Sequence, residues 1–309
     1  MVVDLSRTPQ IARVAAMSAL GRDPGPMEAA ASLSHHVYVG SDIVVKLIGE
    51  ARHPRLNREV ALAPHLPEGL TAPLLASGLD EVNGHKIRYA CYARMAGTAL
   101  AMGLPGVEAA TARSLAEQAV QRLEVLHRWA PSPPARKVLA EPLDHGGLVT
   151  KAALLALIDS LATIDRNSVV RPALLKGLTA IADNAPVSAS TDTPVHADCH
   201  WGNWLASAGR VTALLDFEWA RLGEPLDDWC FLIAFSGVHR EAVLDVVARE
   251  TATAPEILRA GCEIRSAAYL ASDLHLALTR PDNVPAEMLT DRLSELEQII
   301  VERSWWKTR

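Results

Sequence analysis

Residues 196–203 read "HADCHWGN", placing two imidazoles, a carboxylate, a thiol and a carboxamide in eight positions. Two short strand-like runs follow, "NWLA" and "VTALLDF", joined by "SAGR". This pattern predicts a hairpin whose four-residue loop uses Gly209 as its left-handed position. Folding the chain about that loop brings Asp216 to within a position or two of Asn203, with Asp198 just upstream. Three oxygen-bearing side chains then meet at the open end of one hairpin. Oxygen donors with few soft atoms suit Mg2+, which takes one or two carboxylates and completes its shell with water and substrate phosphates. The chemistry such a site serves is phosphoryl transfer. It needs a carboxylate to take a hydroxyl proton, a metal site to offset phosphate charge, and a cation to hold the phosphates. The same stretch also offers His196, Cys199 and His200 to a zinc ion, which would make a metal-dependent hydrolase. A closed zinc shell needs four ligands, however, and the sequence has no second Cys/His cluster to complete it.

The elements around this stretch divide the chain at residue 95. Residues 1–95 form a β-rich lobe, and 96–309 a larger helical lobe that carries the motif. Within 27–94, "HHVYVGSDIVVKLI", "TAPLLASGL" and "HKIRYACYARM" read as strands of a small antiparallel sheet, the last following the turn-forming Asn83-Gly84. One helix interrupts them: "HPRLNREVALAPHL" has Pro54 suited to a first turn and an apolar stripe at Leu56, Val60 and Ala63, with Pro64 ending it. Lys46 lies mid-strand, sharing a face with Val44 and Ile48. A charge is out of place there unless that face opens on a cleft. Beyond Ala96 the pattern is helical, as in "AATARSLAEQAVQRLEVLHRWA", where Leu115, Ala119, Leu123 and Leu126 keep one face apolar.

Composition bounds the function. The 309 residues are 49% hydrophobic and 21% charged, enough apolar surface for a folded core. The net charge of −6 and the lack of clustered Lys and Arg argue against nucleic acid as a partner. Four cysteines without paired spacing read as reduced thiols. Asp4, Arg7 and Arg13 interrupt the N-terminal segment, so it does not read as a signal peptide, and no apolar run reaches the length of a membrane span. The expectation is a cytoplasmic protein, monomer or homodimer, without a membrane partner.

"HADCHWGN" followed by "LLDF" resembles the catalytic core of the aminoglycoside phosphotransferase family and, more distantly, of choline kinases and protein kinases. "GEPLDDW" is similar to the segment that follows in that family, with Asp228 as its final acid. The resemblance implies an α+β, two-lobed, protein-kinase-like fold. It also implies transfer of the γ-phosphate of ATP or GTP, with Mg2+, to a hydroxyl of a small molecule. By that likeness Asp198 is the catalytic base, Asn203 and Asp216 bind the metal, and His200 contacts the transferring phosphate. His196 and Asp228 brace the loop. Lys46 pairs with Glu59 and faces the α/β-phosphates, and the backbone of Ala93 and Met95, in "CYARMAG", holds the purine.

The chain departs from the family pattern in four places. Ala197 and Glu218 stand where glycines are expected, Glu224 replaces an Asp, and "SLSHHVYV", the segment over the phosphates, has no glycine. Ser34, His35 and His36 could supply donors there instead. A non-catalytic nucleotide- or ligand-binding protein of kinase-like fold is the alternative these departures raise. Trp305 and Trp306 read as packing residues of the last helix, and His127 as an ordinary helix residue. From Glu224 to the C-terminus fifteen acids face nine bases, an excess that would attract a cationic antibiotic or metabolite.

Overall fold

The computed structural model describes residues 9–32, 35–49, 54–82, 85–143, 150–281, 284–285 and 287–307. Ser34 and the Asn83-Gly84 turn lie outside them. The chain opens with α1 (Pro9–Leu20), β1 (Glu28–Ala30), β2 (His36–Val39) and β3 (Ile43–Gly49), followed by α2 (Arg55–Leu62), β4 (Leu74–Val82) and β5 (His85–Ala93). The strands form one antiparallel sheet in the order β1-β2-β3-β5-β4. Alternation along β3 explains how the sheet is covered. Ile43, Val45 and Leu47 point to one face, where Ile11, Ala12 and Ala16 of α1 complete a cluster with Tyr38 and Ile87. Val44, Lys46 and Ile48 point to the other, where Ile48 packs with Leu56 of α2, Ala90 and Tyr92. Among the described residues the lobe therefore has two α-helices, one more than the sequence pattern predicts. The stripe of small residues in α1 is too short to stand out as a helical pattern until the sheet is there to receive it.

After β5 the chain crosses to the second lobe through Gly97, whose φ of +110° is a conformation that favours glycine. A Cβ there would also lie 2.4 Å from the Ala206 carbonyl oxygen. Then come β6 (Thr98–Ala99), α3 (Ala109–His127), α4 (Pro133–Ala140), α5 (Lys151–Ile164), α6 (Pro172–Ala182), β7 (Thr193–Val195), β8 (Trp204–Ser207), β9 (Arg210–Leu214) and β10 (Arg221–Gly223). Helices α7 (Pro225–Ala234), α8 (Arg240–Thr251), α9 (Pro255–Thr279) and α10 (Met288–Ile300) close the fold. A single core unites Leu115, Ala119, Leu123 and Leu126 of α3 with Trp201, Trp204, Phe217, Leu232, Leu244, Leu274 and Trp305. No helix among the described residues is long and apolar enough to cross a membrane.

The hairpin is tighter than its sequence suggested. Ser207 pairs directly with Arg210, leaving a two-residue turn in which Ala208 (φ +49°) and Gly209 (φ +76°) are both left-handed. That geometry matches the right-handed twist of the strands, and Gly209 makes it accessible. Trp204 pairs with Leu214, and the Leu215 N–H donates to the Asn203 carbonyl at 2.8 Å. Asn203 and Asp216 are thereby held side by side, and β6 and the 196–203 loop hang from the same hairpin.

Candidate active site

Backbone anchors set the loop before any reactive side chain is placed. Trp201 and Trp204 are fully buried, their indole N–H groups donating to Ser236 Oγ (2.8 Å) and to the Cys199 carbonyl (2.9 Å). His196 is also fully buried and has both ring nitrogens engaged. Nε2 lies 2.8 Å from the Leu215 carbonyl, and Nδ1 accepts from the Asp198 N–H at 3.2 Å. The ring stands edge-on to Phe217 with centroids 4.6 Å apart. One imidazole thus ties the Asp198 loop to the Asp216 loop. Burial lowers its pKa below the ordinary 6.5 against the pull of Asp228, so it works as a neutral strut.

Asp228, in the first turn of α7, holds the other side of the loop. Its Oδ1 accepts the Ala197 N–H at 2.7 Å, and its Oδ2 accepts the His196 N–H at 3.0 Å and lies 2.8 Å from His127 Nε2. Ala197 has φ +65°, in the left-handed region. A side chain in that region costs roughly 1–2 kcal/mol, and the Asp228 carboxylate fixes the strained turn. Burial would raise the Asp228 pKa, but the hydrogen bond to His127 and the neighbouring imidazoles hold it below 3.8. A carboxyl with a depressed folded-state pKa contributes stability that is present above its unfolded value and lost as pH falls through the folded value. Asp228→Asn is therefore expected to cost roughly 2 kcal/mol at pH 7, the cost of an ill-paired buried acceptor. That deficit should shrink on acidification below pH ~4, where the wild-type carboxyl protonates too. Urea unfolding at pH 7 and pH 3 measures it; an equal deficit at both would contradict the assignment.

Lys46 reaches the cleft from β3 and is bracketed by carboxylates. Its Nζ lies 2.9 and 2.8 Å from the two Glu59 oxygens and 3.0 Å from Asp216 Oδ1. Burial alone would strip its charge, yet Asp216 and Glu59 outweigh burial and raise its pKa. For Asp216 burial is likewise overcome, here by Lys46, and its pKa is pulled down to about 2. Arg58, one residue before Glu59, pins α2 to the second lobe by donating to the carbonyls of Val138 (2.7 Å), Glu141 (2.7 Å) and Ala220 (3.0 Å). The helix that carries Glu59 is thus fixed from both lobes.

Asp198 faces the opposite electrostatic setting. Burial first, then the nearby charges of Asp216 and Glu218, push its pKa well above 3.8. Asn203 Nδ2 donates to the Asp198 backbone carbonyl at 2.7 Å, which fixes the carboxamide. His200 Nε2 stands 3.8 Å from Asp198 Oδ1, its ring leaning on Phe235 with centroids 5.7 Å apart. Burial lowers the His200 pKa, leaving a neutral ring. Gly202 makes room for that ring, since a Cβ there would press on it at 3.0 Å. Two carboxylates 18 residues apart in sequence are driven in opposite directions, one toward permanent charge and one toward a proton.

At the hinge, the Ala93 N–H donates to the Pro73 carbonyl at 2.8 Å, so what this residue can offer a purine is its carbonyl. Met95 is half-buried and packs beside Tyr92. His35, just before β2, is buried with Nε2 3.5 Å from Glu218 Oε2, and Arg55 Nε stands 3.4 Å from the same oxygen. Burial and Asp216 push Glu218 up to about 7.

These positions test whether a divalent cation fits. The buried Glu218 Oε2 has no hydrogen-bond partner among the described residues, and ligand atoms of His35, Asp216 and Glu218 lie within 4.8 Å of one another. Asp216, an oxygen donor held ionised, and a Glu218 oxygen that accepts no hydrogen bond among the described residues make the fit. The zinc alternative has no such support: His196 uses both nitrogens within the fold, and the buried Cys199 Sγ donates to the Asp228 carbonyl at 3.1 Å.

Sequence reasoning missed four contributors. His127, an ordinary helix residue by its sequence setting, closes the Asp228 network from 101 positions away. Arg58 carried no signal beyond a charge on a helix. Glu218 was noted only as a missing glycine, although its type, two residues after Asp216, marks it as a possible oxygen donor. The His35 contact with Glu218 joins the two lobes and leaves no trace in spacing.

Comparisons with known proteins identify the family and the fold. The model of a phosphotransferase enzyme family matches residues 29–261. Among solved structures, the GDP and kanamycin complex of APH(2")-IIIa superposes with a TM-score of 0.71 at 16% identity, covering 93% of this chain and 97% of that one. ADP-bound aminoglycoside phosphotransferase APH(2'')-Ib gives 0.63 at 16%, covering 90% and 94%. A thermostable mutant of APH(4)-Ia in complex with AMP-PNP and hygromycin B gives 0.63 at 17%, covering 97% and 100%. At these identities the likeness shows the shared two-lobed fold. No curated protein sequence matches the chain.

Proposed function

The chain belongs to the phosphotransferase enzyme family matched over residues 29–261, and from that premise we propose that it moves the γ-phosphate of ATP or GTP to a hydroxyl of a small molecule, with Mg2+. The observation that carries the proposal is the convergence of Lys46 and Glu59 of the first lobe on Asp216, whose charge also reaches Asp198, in the second. In this reading Lys46, kept charged by Glu59, grips the α/β-phosphates, and the Ala93 carbonyl and Met95 N–H meet the purine. Asn203 and Asp216 would hold Mg2+, with Glu218 beside them, and the bound ion would neutralise charge on the phosphates. Asp198 accepts the proton of the acceptor hydroxyl. The hydroxyl oxygen forms a bond to the γ-phosphorus, the bond from that phosphorus to the β–γ bridging oxygen breaks, and a phosphate monoester and a nucleoside diphosphate leave. A raised pKa suits Asp198 to this proton, since a carboxyl near its titration range takes protons best. His200 donates a hydrogen bond to the moving phosphate from its place beside Asp198. His196 and Asp228 keep the loop in register and do not react.

Nucleotide binding is the first test. AMP-PNP with Mg2+ is expected to raise the melting temperature, by about 2.7 kcal/mol of added stability at a hundredfold excess over Kd. The gain should be lost on chelation of the metal. No shift with either adenine or guanine nucleotide would remove the proposal.

A further inference from the structure

Beside Asp198 the second lobe opens into a cavity of about 570 Å3, room enough for a drug-sized molecule. Its floor is aromatic. Phe235, against which His200 leans, stacks on Phe231 with centroids 5.7 Å apart and planes within 12°, and Phe231 meets Tyr269 edge-on at 5.1 Å. This shelf runs from the catalytic loop to α9, and Met288 and Trp305 continue the apolar wall. Among the described residues the lining carries three arginines and three carboxylates, so the acid excess of the C-terminal sequence does not reach it. Five of these six charges have an arginine or carboxylate partner at ion-pair distance. Arg292 lies 2.7 Å from Asp273 and 2.8 Å from Glu295, and Arg221 pairs with Asp227 at 3.1 Å. Asp198 is the one lining carboxylate without an arginine or lysine at ion-pair distance among the described residues, and it stands where the hydroxyl must react. A polyamine needs several open carboxylates, and this wall offers one.

We propose that the acceptor is an amphipathic, ring-bearing alcohol with at most one positive charge, whose apolar body lies along Phe235, Phe231 and Tyr269 while its hydroxyl reaches Asp198. The inference rests on the phosphotransferase reading: the acceptor oxygen gains the γ-phosphoryl group, its proton passes to Asp198, and the bond to the nucleoside diphosphate breaks. The electrostatic attraction of a cationic substrate, expected from composition, is replaced by burial of apolar surface against a neutral wall.

Calorimetric titration of the full chain loaded with Mg2+ and ADP tests this with two probes. 2-(2-Naphthyl)ethanol, a neutral aromatic alcohol, is expected to bind at least about tenfold tighter than the polycation kanamycin, as stacking against the shelf and the lack of open acids imply. Phe235→Ala should weaken naphthylethanol by up to about tenfold, the worth of one aromatic contact. Arg292→Ala removes the arginine partner of Asp273 and Glu295 and should tighten kanamycin by up to about fivefold. Should that variant not fold, the partly exposed Phe235 supplies an independent reading. Kanamycin binding as tightly as naphthylethanol, or no binding of naphthylethanol, overturns the acceptor class. Binding of AMP-PNP with Mg2+, measured alongside, separates the two ideas, because its loss would overturn the phosphotransferase reading itself.

Discussion

Asp198→Asn is expected to slow phosphate transfer by roughly 10²–10⁴-fold, the usual contribution of a positioned general base, while nucleotide affinity changes little. The asparagine fills the same space, and the Asn203 side chain keeps its bond because it donates to the backbone carbonyl of residue 198. Lys46, Glu59 and Asp216 are untouched. What disappears is the proton acceptor, so kcat should fall with KM for nucleotide near its wild-type value. The electrostatic setting sharpens the expectation: burial and the charges of Asp216 and Glu218 raise this carboxyl's pKa, and a neutral side chain relieves that repulsion. The variant should therefore be at least as stable as the parent while nearly inactive. Steady-state kinetics and thermal melts on one preparation check both halves; full turnover would exclude Asp198 as the base.

Lys46→Met should be damaging in a different way. The ammonium is the shared counter-ion of Glu59 and Asp216, at 2.8 and 3.0 Å, one carboxylate from each lobe. Removing one partner of a buried ion pair leaves uncompensated charge, typically at a cost of 3–5 kcal/mol, so a loss of about that size is expected. Phosphate transfer should be lost as well, because the α/β-phosphates lose their cation. The two orphaned carboxylates can recover by protonation, so the stability deficit should narrow as pH is lowered. Chemical unfolding of the variant at pH 8 and pH 5 measures this; a variant as stable as the parent at pH 8 would show that the triad is not the electrostatic centre of the site.

What could be read in the chain depended on how local each feature was. "HADCHWGN" and the hairpin behind it were legible because one turn brings their oxygen donors together, and the turn announces itself with Gly209. Lys46 was legible as a charge on a strand face that otherwise carries Val44 and Ile48. Glu59 could be paired with it only by analogy, since nothing in "RLNREVAL" separates Glu59 from a solvated acid. The structure supplies that difference through Arg58, whose three backbone acceptors come from segments about 80 to 160 residues away. His127 and Asp228 are a similar case. Burial of both gives their hydrogen bond its worth, and burial belongs to the tertiary fold. The aromatic lining of the cavity beside Asp198 was beyond a count of charges, because a count sums the surface of a lobe and does not say which charges find partners.

Formation of a phosphate monoester measures the central claim most directly. Wild-type protein and Asp198→Asn would each be incubated with Mg2+ and ATP or GTP across a panel of hydroxylated small molecules, and the products followed by 31P NMR. The expected result is a new monoester resonance and matching nucleoside diphosphate with the wild type, absent when Mg2+ is chelated and strongly reduced in the variant. Nucleotide that binds yet yields no monoester from any acceptor, or equal product from both proteins, would contradict the assignment of this cleft as a phosphotransferase site with Asp198 as its base.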